Sequence, residues 1–434
     1  MESGTKRGPE PTGGRLANSW LVKTDLLLIA KRVGTPVFVY SEEQLLKNVA
    51  RIKDAARAAG IDQRVELYIP FFPNSNPHVL RSLQETGIGL LLQVPGEYKL
   101  LPGFGFNKFI VSPGHVSDDE IGFWAHKGYP TFLSSLDEAD YWLRTTPAAI
   151  SVRIDSLGSE KPGIKYGQLK SLSNLLRDHG RAIECFEVYC GSGRSLEDMI
   201  NILEQVFAIF KTHFPDVRSI DFAGGHGFAY EKWDESEKHF DWKQYFCALR
   251  EIATRVGVPD HVKFLFEPAR DVLADVGALL LRVKRDIVTN PVANVVVTDG
   301  SRMLMPSAQL RGRRHNIVFL DADTAEIPLN GNGFNAVLRG RTVLRNDYIL
   351  PGEYWVPEGV GARGYMLILD VGAYCATQHM EFLNVPPAAE VLIDAMGSAY
   401  LVTARGDELD KWRNVLPEKQ KLTASANQGD VYAA

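Results

Sequence analysis

Most of the signals that would settle a protein's class at once are missing from this chain. There are four cysteines in 434 residues, Cys185, Cys190, Cys247 and Cys375. None stands in a CxxC pair, which excludes a disulfide framework and points to a reduced, cytoplasmic setting. The ten histidines are scattered with neither HxH nor HExxH spacing, so no metal site is expected. No apolar run approaches the ~18–20 residues of a membrane span. The opening MESGTKRGPEPTGGR has no apolar stretch of a secretory leader and reads as a disordered lead-in. Basic charge is not in excess. The 48 Lys and Arg face 53 Asp and Glu, a formal net charge of -5, which argues against nucleic acid as the main partner.

What is present is ordinary soluble-protein composition, 45% hydrophobic and 23% charged, at a length that suits two domains. Short apolar segments rich in β-branched and aromatic residues recur at 65–71, 89–93, 109–112, 131–134, 150–154, 186–189, 220–223 and 263–267. Between them lie amphipathic stretches. In one, Leu196, Met199, Ile200, Leu203, Val206, Phe207 and Phe210 share a helical face, and Ser195 with Asp198 predicts a capping box. Eight strands alternating with helices predict an α/β fold, a TIM (β/α)8 barrel. An open doubly wound sheet fits less well, because no GxGxxG follows the first strand. From about Asp286 strand-like segments follow one another with little helical periodicity, which predicts a β-sandwich or β-barrel domain. The expected organisation is 1–40 as lead-in and an arm joining the β domain, 41–285 as the barrel, and 286–434 as the β domain, with a mobile tail after Lys419.

In a barrel the chemistry sits where the strands end. Two glycine loops occur there, Ala223–Tyr230 (AGGHGFAY) and Gly191-Ser192-Gly193. Backbone N–H groups in such loops can cradle an anion, and a tight turn without a ligand is the alternative. Glu267, in FEPAR, closes the last barrel strand; an ion pair with Arg270 or Arg153 is its plain structural reading. His226 is a candidate acid or base, with simple packing as the alternative.

The order PVFVYSEEQL, NSNPHVLRSL, GEYKL, KYG, GSGRS, DFAGGHGF, EPARDVLADVG, GRTVLRND and GAYCATQHMEFLN resembles the fold-type III decarboxylases that use pyridoxal phosphate (PLP). These act on ornithine, diaminopimelate, arginine and carboxynorspermidine. The resemblance runs from about Thr35 to Ile393. It implies a barrel plus a β domain, and dimers with shared active sites. It also implies that Glu267 meets the pyridine nitrogen, that Gly224, Gly225, Gly227, Ser192 and Tyr374 hold the phosphate, and that Arg270, Arg153 and Asp347 stand at matching positions.

The departures fall on reactive groups. The family writes YAVKAN, whose lysine carries the cofactor; this chain writes YIPFFPNSNP. Anchoring on NSNP puts Phe72 at the lysine, and anchoring on Tyr68 puts Phe71 there. Tyr189 replaces the ring-stacking histidine, Val343 the cysteine delivered by the second subunit, and Leu344 the acidic residue after it. Leu91 replaces an aspartate, although Glu97 remains, and Ala269 replaces a glycine. Arg341 and Arg345, with Arg339, would favour a carboxylate or phosphate on the ligand if this segment lines the mouth; arginines on a solvated strand face are the alternative.

These changes imply a lyase-like enzyme acting on an amino-acid-like molecule without a PLP–lysine linkage. The alternatives are a pseudoenzyme, serving as partner subunit or binding module, and a true decarboxylase with a relocated lysine such as Lys99, Lys108 or Lys165. PLP held noncovalently, another phosphate-bearing ligand, or none is the cofactor expectation. A small-molecule ligand and a dimer, with itself or with a paralogue, are the expected partners.

Overall fold

Eight short parallel strands close into a barrel. The computed structural model describes residues 15–16, 19–155, 161–289, 294–328, 332–361 and 363–419. The residues before Arg15 and the tail after Lys419 lie outside the described residues. After β1 (Val37–Ser41) come β2 (Val65–Pro70), β3 (Gly89–Leu92), β4 (Phe109–Val111), β5 (Phe132–Leu133), β6 (Ile150–Asp155), the spur β7 (Ile164–Lys165), β8 (Ile183–Val188), β9 (Ser219–Asp221) and β10 (Lys263–Phe266). Their order is β4-β3-β2-β10-β9-β8-β6-β5, with β7 beside β6. A parallel bridge between Val111 and Thr131 closes the ring. All eight predicted barrel strands are present. They read as near-continuous apolar runs because both faces of a parallel barrel are covered, by helices outside and by side chains within.

Inside the barrel, Tyr68, Leu91, Ile110, Phe132, Cys185 and Leu265 form a plug, and Phe72 packs on it. Successive strand residues point to opposite faces, so Leu67, Ile69 and Phe71 belong to the larger core shared with the helices. The Leu196–His213 helix buries Met199, Leu203, Val206, Phe207 and Phe210 on the predicted face. Ser195 Oγ accepts from Asp198 N–H at 3.1 Å. The predicted capping box is only half formed, because the aspartate is one methylene shorter than the glutamate that reaches back in a full box.

The second sheet is built from β11 (Gly277–Thr289), β12 (Asn294–Thr298), β13 (Ile317–Leu320), β14 (Gly333–Arg339), β15 (Tyr348–Pro357), β16 (Tyr365–Ile368), β17 (Ala389–Ile393) and β18 (Ala399–Thr403). The order is β15-β14-β12-β11-β1-β17-β18, with β16 pairing both β11 and β13. The amino-terminal arm enters this sheet as β1, antiparallel to β11 and parallel to β17. Val37 and Val39 fill the core of the second sheet while Phe38 and Tyr40 fill that of the barrel, so one strand is pinned on both sides.

Buried charge also fastens the halves. Lys238 Nζ donates to both oxygens of Asp370, at 2.9 and 3.0 Å. Within the barrel half, the Asp271 carboxylate accepts from Arg51 (2.7 Å), Trp242 Nε1 (2.7 Å) and Phe240 N–H (2.9 Å). Among the described residues, no helix is long and apolar enough to cross a membrane.

Candidate functional site

Side chains that end the barrel strands on their inward face open into a cavity of about 410 Å³. Pro70 and Phe72 come from β2, Leu91 and Gln93 from β3, Ser112 from β4, Arg153 from β6, Glu187 and Tyr189 from β8, and Glu267 from β10. The same alternation that fills the lumen with apolar groups therefore turns polar within one or two residues of the strand ends.

The floor is a layer of charge. Arg153 pairs in register with Glu187, and Glu187 with Asp221, across β6, β8 and β9. Arg153 Nη1 lies 3.3 Å from Glu187 Oε1, and Ser112 Oγ bridges the same two side chains. Glu267 forms no ion pair with Arg270 or Arg153 among the described residues, contrary to the plain reading of FEPAR, because Arg153 is turned to Glu187. Three carboxyls thus share one guanidinium. Burial, and after it the Glu187 charge, raise Asp221 to about 8. Burial, then the charges of Asp221 and Glu187, lift Glu267 well above the carboxylate range. Glu267 Oε1 and Asp221 Oδ2 are buried without a donor from the described residues. A proton shared between them, or a donor entering from the cavity, would satisfy both.

The rim has the opposite character. Arg270, Arg311 and Arg313 line it, with Lys161, Ser192, Gly224, Gly225 and Tyr374. Arg270 lies over the Tyr374 ring at 4.6 Å, and its buried Nε–H has no acceptor among the described residues. Tyr374 adopts φ +60, a strained conformation for a residue with a side chain. Its N–H holds Pro73 O at 2.7 Å, and its own carbonyl accepts from Ser307 Oγ at 2.7 Å. The glycine loops touch: a Cβ on Gly225, whose φ is +108, would lie 2.2 Å from Gly191 O. Only glycine allows that approach. Gly227 sits against Arg194 O rather than on the cavity wall. Ala269 also lines the cavity.

The two candidates for the lysine position separate cleanly. Phe72 lines the cavity, its ring 6.1 Å from that of Tyr374, whereas Phe71 is buried in the core against the helices at 4% exposure. Tyr189 donates to or accepts from Ser192 Oγ at 2.7 Å, and its ring carries Arg153 at 5.4 Å and Lys161 at 4.2 Å. His226 is boxed by aromatic rings, Trp242 nearest at 4.2 Å. Burial drives it down to about 3, so the imidazole is neutral, with one ring nitrogen carrying a proton and the other a lone pair.

Other residues singled out in the sequence lie elsewhere in this chain. Arg341 borders a separate depression of about 610 Å³ with Asp299 and Arg405. Arg345 supplies its carbonyl to Arg339 at 3.2 Å. Asp347 is fully buried and accepts from Ser301, Arg302 N–H and Thr342, which shapes its own loop. Val343 is 92% exposed, while Leu344 packs partly into the core. Of the lysines proposed as substitutes, Lys165 pairs with Asp155 and Lys108 with Glu66; neither they nor Lys99 lines the cavity.

Glu187 and Asp221 were not singled out from the sequence, although a signal existed: each is a carboxylate flanked by apolar residues at a strand's end, in FEV and IDF. Arg311 and Arg313 had no such signal, since they reach the mouth from the second domain.

No family model matches the chain. It is similar to the diaminopimelate decarboxylase of Escherichia coli (strain K12), 25% identical over 417 residues that cover 89% of this chain and 94% of that protein. Among solved structures it is similar to a diaminopimelate decarboxylase, with TM-score 0.77 and 22% identity over 92% of this chain and 97% of that one. It is also similar to the lysine/ornithine decarboxylase of Vibrio vulnificus complexed with cadaverine, with TM-score 0.71 and 17% identity over 85% and 97%. These likenesses establish the fold, a TIM barrel carrying a β domain.

Proposed function

We propose that this chain, which belongs to the fold-type III PLP-dependent decarboxylase family, holds PLP in the barrel mouth and acts as a lyase on an amino-acid-like molecule. The observation that carries the reading is the polarity of one cavity. Among the described residues, Glu267 Oε1 and Asp221 Oδ2 at its floor lack donors, and Arg270 Nε–H at its rim lacks an acceptor. A ligand with a protonated nitrogen at one end and a phosphate at the other satisfies both.

The residues present fit that group. Glu267 would hold the ring nitrogen's proton and so regain its own charge. Arg270, Ser192, Tyr374 and the backbone of Gly224 and Gly225 would hold the phosphate. When bound, PLP supplies an aldehyde and an electron-withdrawing ring. Tyr189 and Phe72 would flank the ring and exclude water, and Arg311 and Arg313 favour a carboxylate on the molecule acted upon. A second reading, binding without turnover, is favoured by Phe72, which brings an inert ring to the family's lysine position.

Thermal unfolding with PLP, pyridoxal and inorganic phosphate tests the proposal. Stabilisation is expected to follow the phosphate-bearing ligands, about 2.7 kcal/mol at one hundred times Kd. Glu267→Gln should weaken PLP and leave inorganic phosphate unchanged. No shift with any of the three at millimolar concentration sinks the reading.

We also propose a two-fold dimer through the segment bearing Val343, an apolar side chain left 92% exposed in the isolated chain. Leu344 is partly packed into its own chain. Val343→Asp is therefore the sharper probe, and is expected to shift light scattering from dimer toward monomer at micromolar concentration. A wild-type monomer with PLP present overturns the dimer.

A further inference from the structure

We infer that Lys161 is the amine through which this chain engages an aldehyde in the barrel mouth, replacing the lysine missing from β2. The inference rests on the cofactor reading above. Lys161 is the lysine among the described residues that line the cavity. It follows β6, whose Arg153 already belongs to the floor, so it enters from the C-terminal end of a barrel strand. Its ammonium lies 4.2 Å from the centre of the Tyr189 ring, on the wall that also carries the Tyr189–Ser192 hydrogen bond.

Competing lysines are engaged elsewhere. Lys165 is held by Asp155, Lys108 by Glu66 and Lys238 by Asp370. Among the described residues, the Lys161 ammonium has a cation–π contact with the Tyr189 ring and no ion pair. A long, exposed side chain so lightly held can swing from the Tyr189 face to a ligand at small cost.

The step balances without any further reactant. The deprotonated Nζ of Lys161 attacks the aldehyde carbon. The carbonyl oxygen leaves as water with the two amine protons, and a carbon–nitrogen double bond remains. No electrons are gained or lost.

The test uses the full chain with one equivalent of PLP, borohydride reduction and peptide mass mapping, alongside the PLP-dependent thermal shift. A pyridoxyl adduct on Lys161 is expected, suppressed by excess inorganic phosphate. Lys161→Arg should lose the adduct and keep the thermal shift, since it retains the charge but cannot condense. Lys165→Ala should keep both.

An adduct on Lys99, Lys108 or Lys165, or one spread over surface lysines regardless of phosphate, overturns the assignment. A thermal shift without any adduct also overturns it, and leaves the cofactor reading standing. Absence of both removes the two together.

Discussion

Phe72→Lys is expected to capture PLP covalently, moving the borohydride-trapped adduct from Lys161 to position 72, whereas Phe71→Lys is expected to unfold the barrel. The two positions are adjacent in sequence and opposite in environment. Phe72 faces the cavity and the Tyr374 ring, and the end of a lysine placed there can reach water and ligand. Phe71 is packed among helix-facing core residues, and its N–H donates to Leu91 O at 3.0 Å. Removing that ring alone costs about 3–5 kcal/mol, and a buried ammonium without a partner adds to it. Urea unfolding is expected to show a small change for Phe72→Lys and a collapse of the midpoint for Phe71→Lys. Peptide mapping then reports where the cofactor is bound. A stable Phe71→Lys protein that traps PLP, beside an inert Phe72→Lys, would mean that the strand alternation at the end of β2 is inverted.

The second large effect is expected at Asp271. Its carboxylate is fully buried and held well below the usual range. Burial opposes this, but the hydrogen bonds and charges of His239 and Arg51 outweigh it. Asp271→Ala removes the carboxylate shared by Arg51 and His239 and leaves His239 only Asp275, and breaking a buried ion pair from one side costs about 3–5 kcal/mol. The urea midpoint should fall by that free energy divided by the slope, with the slope unchanged.

The pH dependence follows from His239, whose Nδ1 and Nε2 lie 3.1 Å from Asp271 and Asp275. Burial lowers its basicity, yet the two carboxylates more than compensate and raise it to about 9. An imidazolium favoured in the folded state stabilises fully below its unfolded value of ~6.5. That contribution is then lost as pH rises through 9. Wild-type stability should therefore decline between these limits, and His239→Gln should flatten that part of the curve. An unchanged profile in the variant would show that His239 is not the titrating group.

Local chemistry along the chain was enough for the eight barrel strands, because a strand buried on both faces needs an apolar run and a turn residue at each end. β1 was legible in the same way as a strand that joins the second sheet. The glycine loops and Glu267 could be found because each carries its signal within a few residues, and Tyr374 through the family resemblance of the GAY segment. The environment of those residues could not. Whether Phe71 or Phe72 enters the cavity depends on which way the last residues of β2 face, and a one-residue ambiguity in sequence register reverses that. The shared floor of Glu187, Asp221 and Glu267 exists only once three strands far apart in sequence lie side by side. The positive rim comes from Arg311 and Arg313, carried to the mouth by the packing of the second domain. Arg341 and Asp347, also in the second domain, were carried away from it. Residue type and spacing are properties of short segments, whereas a charge's partner and its access to water depend on what the rest of the chain places beside it.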